Sequence, residues 1–172
     1  LQLLGNDYLN LLYVGVEGTK APITRVEMTD AKMSSVFSPV YAAANCLTDS
    51  GASDTTMCHT AGVDNGPWWQ ATTADGALYD ISSVVVRNRA ACCWERLQEY
   101  VVTVDGVECA RGDANGKQGY LEIACKRRGS TVRLQLLGND YLNLLYVGVE
   151  GTKAPITRVE MTDAKMSSVF SP

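Results

Sequence analysis

The chain has 172 residues, 46% of them hydrophobic and 20% charged, with a formal net charge of −4. That length supports one well-buried core, and that composition excludes a disordered chain. A mildly acidic balance does not suit a nucleic-acid or membrane-surface binder, and no apolar run reaches the roughly 20 residues that cross a bilayer as a helix.

Residues 1–39 return without a change as residues 134–172. A piece that short is not a domain. It fits a chain cut from a tandem array whose unit runs from Leu1 to Arg133, and a deliberate duplication fits the identity equally well. Leu1 opens in strand-like sequence, so the natural N-terminus is expected to precede it. The unit is expected to break near Thr19–Pro22 and again near Thr152–Pro155. On that phasing residues 1–20 are the closing hairpin of a preceding unit, 21–152 are one complete domain, and 153–172 open the next. The flanking strands would then pair with neighbouring identical units.

In chain order, Thr29–Ser35 has room for a helical turn. Asp80–Arg89 reads as a valine-rich strand, and Glu99–Cys109 as a hairpin turning at Asp105-Gly106. Gly119–Arg127 is another strand. Thr131–Leu137 and Tyr141–Glu150 read as the arms of a hairpin joined at Gly138-Asn139-Asp140. Gly151–Pro155 reads as a short linker and Ile156–Met161 as a further strand. Many short strands without a sustained 3.6-residue period imply an all-β sandwich or barrel.

The six cysteines, with a single histidine, include no C-x-x-C pair. They are either buried thiols or a disulfide set belonging to an oxidising compartment. Cys92 and Cys93 are adjacent, between Arg89 and Arg96. Zinc ligand spacings are absent, and a catalytic cysteine would need a free thiol beside His59, so no enzyme is expected. Arg111-Gly112-Asp113 matches a short integrin-recognition tripeptide on an expected loop.

The pieces "CHT" (Cys58–Thr60), "GPWWQ" (Gly66–Gln70), "SSVVVRNRAACCWERL" (Ser82–Leu97), "VTVDGVEC" (Val102–Cys109), "LEIAC" (Leu121–Cys125) and "TVRLQLLGNDYLNLL" (Thr131–Leu145) arrive in order. Together they resemble the F-type lectin (fucolectin) family. The resemblance implies a jelly-roll β-sandwich that binds L-fucose with the help of calcium and without catalysis. It implies that His59, Arg89 and Arg96 grip the sugar, and that a disulfide between Cys92 and Cys93 packs against it. Cys46–Cys58 and Cys109–Cys125 would be the other bridges, with Trp68 and Trp69 in core and sheet packing.

Two departures stand out. Ala91 occupies the position of an aspartate that orients the arginines, which would leave two cations without their counter-ion. For calcium, the candidate ligands are Asn45, Asp49 and Ser50, but Leu145-Tyr146 stands where the family has Cys-Glu, so the closing carboxylate is missing. The expectation is a secreted, extracellular building block of a multidomain or fibrous assembly, with sugar binding weakened or vestigial. The alternative is a functional lectin for fucosylated glycans acting by multivalent display.

Overall fold

The structure, a computed structural model, describes residues 22–62 and 64–155. The expected hairpin in residues 1–20 and the strand Ile156–Met161 lie outside the described residues.

Two antiparallel sheets of five strands face each other. The first carries β1 (Thr24–Val26), β3 (Cys58–His59), β6 (Tyr79–Asn88), β9 (Tyr120–Gly129) and β12 (Asn143–Lys153). Its order is β1-β12-β6-β9, and β3 also pairs with β12. The second carries β2 (Met28–Met33), β5 (Trp68–Thr73), β7 (Glu99–Val104), β8 (Val107–Asp113) and β10 (Thr131–Leu136), in the order β2-β5-β10-β7-β8. A small ladder joins β4 (Asp64–Asn65) to β11 (Asn139–Asp140). The sequence-based expectation of an all-β sandwich holds.

Alternation explains the core. Val84 and Val86 of β6, Val102 and Val104 of β7, Val132 and Leu134 of β10, and Val147 and Val149 of β12 are all buried between the sheets. Each points inward at every second position. Trp69 is fully buried, and its indole N–H donates to the Ala43 carbonyl at 3.0 Å, so its one polar atom is satisfied. Trp68 faces the other way, under the Arg133 guanidinium at 4.2 Å.

Two disulfides staple the periphery. Cys109–Cys125 joins β8 to β9, one from each sheet, and closes an open side of the sandwich. Cys46–Cys58 fastens the 3-10 segment Ala43–Leu47 to β3. Loops of this size contribute about 3 kcal/mol each in the chain-entropy account.

Several expectations are corrected. Thr131–Leu137 and Tyr141–Glu150 are not arms of one hairpin, because β10 and β12 belong to opposite sheets. Apolar alternation looks the same whether a chain turns back within a sheet or crosses to the facing one. Gly151–Lys153 is not linker but the end of β12, paired with Ile81, Asp80 and Tyr79. The expected helical turn near Thr29 is strand, with a register shift between Thr29 and Lys32 and a left-handed Asp30 at φ 51°. Arg111-Gly112-Asp113 lies in β8 rather than on a loop. The Glu99–Cys109 hairpin forms as expected, with φ 48° at Asp105 and 78° at Gly106, the paired positive values of a tight hairpin turn.

Candidate functional site

The candidate site gathers where β3, β6 and β12 end. Cys58 faces the core and is bridged to Cys46, so the next residue, His59, faces the opposite side of its sheet. There it lies among three rings: Phe37 at 5.0 Å, Tyr41 at 5.9 Å and Tyr141 edge-on at 5.5 Å between centroids. The Phe37 segment is pinned to β3, because the Phe37 N–H donates to the His59 carbonyl at 2.9 Å.

His59 Nδ1 sits 2.7 Å from the Thr60 carbonyl oxygen. A carbonyl only accepts, so Nδ1 carries the proton and Nε2 is left as an acceptor. Burial lowers the imidazole pKa, the Thr60 hydrogen bond opposes this, and the charges of Arg96 and Arg89 lower it further. The ring is therefore neutral near pH 7, and both arginines act on it.

The loop Arg89–Leu97 carries the cations, and one side chain organises it. Asn88 is buried at the end of β6; its amide donates to the carbonyls of Trp94 at 2.9 Å and Lys117 at 2.8 Å. Its oxygen accepts the Arg89 N–H at 2.8 Å. Gly116, at φ 61°, packs beneath the loop; a Cβ there would stand 2.7 Å from the Glu95 Cα.

The missing aspartate at Ala91 is answered from elsewhere. Arg89 Nε meets Asp54 Oδ1 at 3.2 Å, and Arg96 Nε lies 3.8 Å from Asp140 Oδ1. Asp54 rides a loop held by its own hydroxyls, the Ser53 N–H donating to Thr56 Oγ1 at 2.9 Å. Asp140 ends β11, and Arg96 also stacks over Tyr141 at 4.7 Å. The cations are thus oriented despite Ala91. Sequence reasoning missed Asp54, Asp140, Tyr141, Phe37 and Tyr41, since nothing local marks a residue that acts across the fold.

Cys92 and Cys93 are free thiols, which corrects the expected bridge between them. Neighbouring Cα atoms across a trans peptide are about 3.8 Å apart, shorter than the usual span of about 4.4–6.8 Å between half-cystines. Cys93 is left-handed at φ 63°, and a hydrogen bond with Cys93 raises the Cys92 pKa, burial adding to it and Arg89 opposing. The exposed Cys92 remains a thiol beside the arginines.

The proposed calcium ligands do not fit that ion. The Asn45 amide donates to the carbonyls of Val40 at 2.7 Å and Met57 at 3.0 Å. Asp49 spends one oxygen on Arg87 at 3.0 Å and the other on the Tyr120 hydroxyl at 2.7 Å. Ser50 lines a hollow nearby without a converging set of carboxylates, and no cluster of three acidic, histidine or cysteine side chains suited to a metal occurs among the described residues. The larger hollows also lie on this side, including one of about 550 Å³ between Arg25, Asp49 and Tyr146. They hold no histidine, and the Arg–His surface with its aromatic surround is the better candidate on chemistry.

No family model matches the sequence, and no curated protein matches it. Solved structures do resemble it. A fucolectin from striped bass (Morone saxatilis) serum superposes with a TM-score of 0.66 at 23% identity, over 78% of this chain and 52% of that one. The chain thus spans about half the length of that lectin. The lectin domain of lectinolysin, complexed with Lewis B antigen, gives 0.58 at 24% identity over 70% and 90% of the two chains. The family 32 module of Clostridium perfringens NanJ, in complex with galactose, gives 0.63 at 15% identity over 75% and 99%. These neighbours are carbohydrate-binding modules rather than catalytic domains, some of them parts of glycoside hydrolases. The chain has the β-sandwich fold shared by F-type lectins and related carbohydrate-binding modules.

Proposed function

We propose that this chain is an extracellular glycan-binding unit that takes fucose-bearing saccharides at the His59–Arg89–Arg96 surface, and that it acts as one member of a tandem array. The observation that carries the reading is the replacement of the missing aspartate by Asp54 and Asp140, which pair with the Nε atoms of Arg89 and Arg96 at 3.2 and 3.8 Å and leave the guanidinium ends beside a neutral imidazole. A deoxy sugar offers hydroxyls on one side and an apolar, methyl-bearing edge on the other. Arginine forks donate to its hydroxyl and ring oxygens, His59 Nε2 accepts a hydroxyl proton, and aromatic rings suit the apolar edge. Cys92 and Cys93 add a polarisable surface beside Arg89.

Two disulfides support an oxidising, extracellular setting. None of the described helices is long and apolar enough to cross a membrane. The array part of the reading rests on the unchanged return of residues 1–39. Thr24 of β1 lies opposite Gly151 of β12, so a unit would begin and end on neighbouring strands, which suits serial repetition. The building-block reading with weakened or vestigial sugar binding rested on Ala91 and on the incomplete calcium ligands; Asp54 and Asp140 speak against the first ground, and the second remains.

The test is a glycan array with the full chain, followed by calorimetric titration with L-fucose. Binding that disappears in Arg89→Ala and Arg96→Ala supports the reading. A wild-type chain that binds no glycan at all returns the building-block alternative.

A further inference from the structure

Asn143 is buried, 2% exposed, and neither its amide nitrogen nor its amide oxygen has a hydrogen-bond partner. No other described side chain leaves a buried nitrogen or oxygen unpaired in this way. Buried polar groups are nearly always paired, and an orphan calls for a partner that arrives from outside the chain.

Its position says where that partner comes from. On one side Asn143 is registered directly opposite His59. The next pair of that ladder, Leu144 and Cys58, is buried in the core, so Asn143 and His59 share the opposite face. On its other side β12 pairs with β6, where Leu144 is matched with Asn88. The residue one step beyond Asn88 is Arg89, at the level of Asn143. The orphaned amide thus lies between two of the three residues assigned to the sugar.

We propose that Asn143 is a further ligand-contacting residue of this site, its carboxamide pairing with two neighbouring ring hydroxyls of the saccharide. This rests on the glycan-binding reading above. A carboxamide offers a donor and an acceptor side by side, and each hydroxyl both donates and accepts, so adjacent hydroxyls match it in either sense. Arg89 and Arg96 only donate, whereas Asn143 adds a second acceptor beside His59 Nε2. It would therefore select for a pair of neighbouring hydroxyls over a sugar with one of them removed or substituted. In the free protein both amide atoms are closed to water, and the His59 ring next to them is packed against Phe37, Tyr41 and Tyr141. Binding then requires the ring cluster to open, and Phe37, 57% exposed, is the member with room to swing.

The experiment uses the full chain and Asn143→Leu, a change of similar volume. Each protein is titrated with L-fucose and D-galactose by calorimetry and unfolded in urea without sugar. The affinity for whichever sugar the wild type binds should fall at least about tenfold. Sugar-free stability should stay level or rise, because leucine removes two orphaned polar atoms and breaks no existing bond. Unchanged affinity overturns the proposal. So does a clear loss of sugar-free stability in a leucine variant that still folds, which would mean that the amide already has a partner in the folded protein. Should the leucine variant not fold, Asn143→Ala carries the affinity arm, and wild-type affinity there overturns the proposal. Arg89→Ala losing binding while the Asn143 variants keep it leaves the glycan reading standing and sinks this one alone; no binding by the wild type removes both.

Discussion

Asn88 and Asn143 sit on adjacent strands, at nearly the same depth, and the fold uses them in opposite ways. Asn88 is 1% exposed and satisfies three backbone groups, at Trp94, Lys117 and Arg89. Asn143 is 2% exposed and satisfies none. The first closes a loop internally and so fixes where the arginines stand. The second is left unpaired on the face those arginines occupy. Burial alone does not distinguish a structural polar group from a binding one; the location of its partners does.

Substitution should separate these roles, beginning with the largest effect. Asn88→Leu should destabilise the fold by about 3 kcal/mol or more, since it orphans three backbone groups at once. Urea unfolding reads this, and a loss below about 1 kcal/mol would mean that the loop does not depend on Asn88. Next, Arg89→Ala or Arg96→Ala should weaken fucose binding by about 1.5–3 kcal/mol, ten- to a hundredfold, with the fold retained by circular dichroism. Equal affinity in both variants would show that the sugar lies elsewhere.

A smaller effect follows from His59. Its folded pKa lies below the ordinary 6.5, with burial as the leading cause. As pH falls through 6.5 the unfolded chain takes up the proton first. The stability contributed by the neutral ring is therefore complete above about pH 6.5 and is lost as pH falls towards the folded pKa. Sugar affinity should fall over the lower part of that window, when Nε2 becomes a donor and ceases to accept. A His59→Gln variant should flatten the affinity profile, and a pH response that survives it would point to another group. Smallest of all is Ala91→Asp, which should leave binding unchanged or strengthen it modestly, because Asp54 and Asp140 already balance the cations. A sharp loss of affinity would mean that an acid at position 91 competes with these partners.

Part of what depended on neighbours in the chain was legible in the sequence, although the local signals at Thr29–Ser35 and Gly151–Lys153 pointed to a helical turn and a linker where strand runs on to Met33 and Lys153. The β7–β8 hairpin follows from Asp105-Gly106, since few residues tolerate two positive φ values in succession. The bridges Cys46–Cys58 and Cys109–Cys125 followed from the family resemblance. The same resemblance misled at Cys92–Cys93, where the residues are thiols. Contacts between distant segments were not legible. Asp54 reaches Arg89 across the sandwich end, and Asp140, read as a turn residue, reaches Arg96. The separation of β10 from β12 into two sheets was hidden for a related reason, because alternation marks which side chains face inward but not which layer a strand joins.

The pairing of Thr24 with Gly151 also has a mechanical side. β1 and β12 are antiparallel, so the chain enters at Thr24 and leaves past Lys153 at the same end of one ladder. Force applied between those points loads the hydrogen bonds one pair at a time, peeling the strands rather than shearing the whole ladder at once. In an array under tension each unit should therefore yield at β1 under low force and lengthen by a few residues. The core held by the two disulfides would stay intact, and such an array would behave as a soft spring.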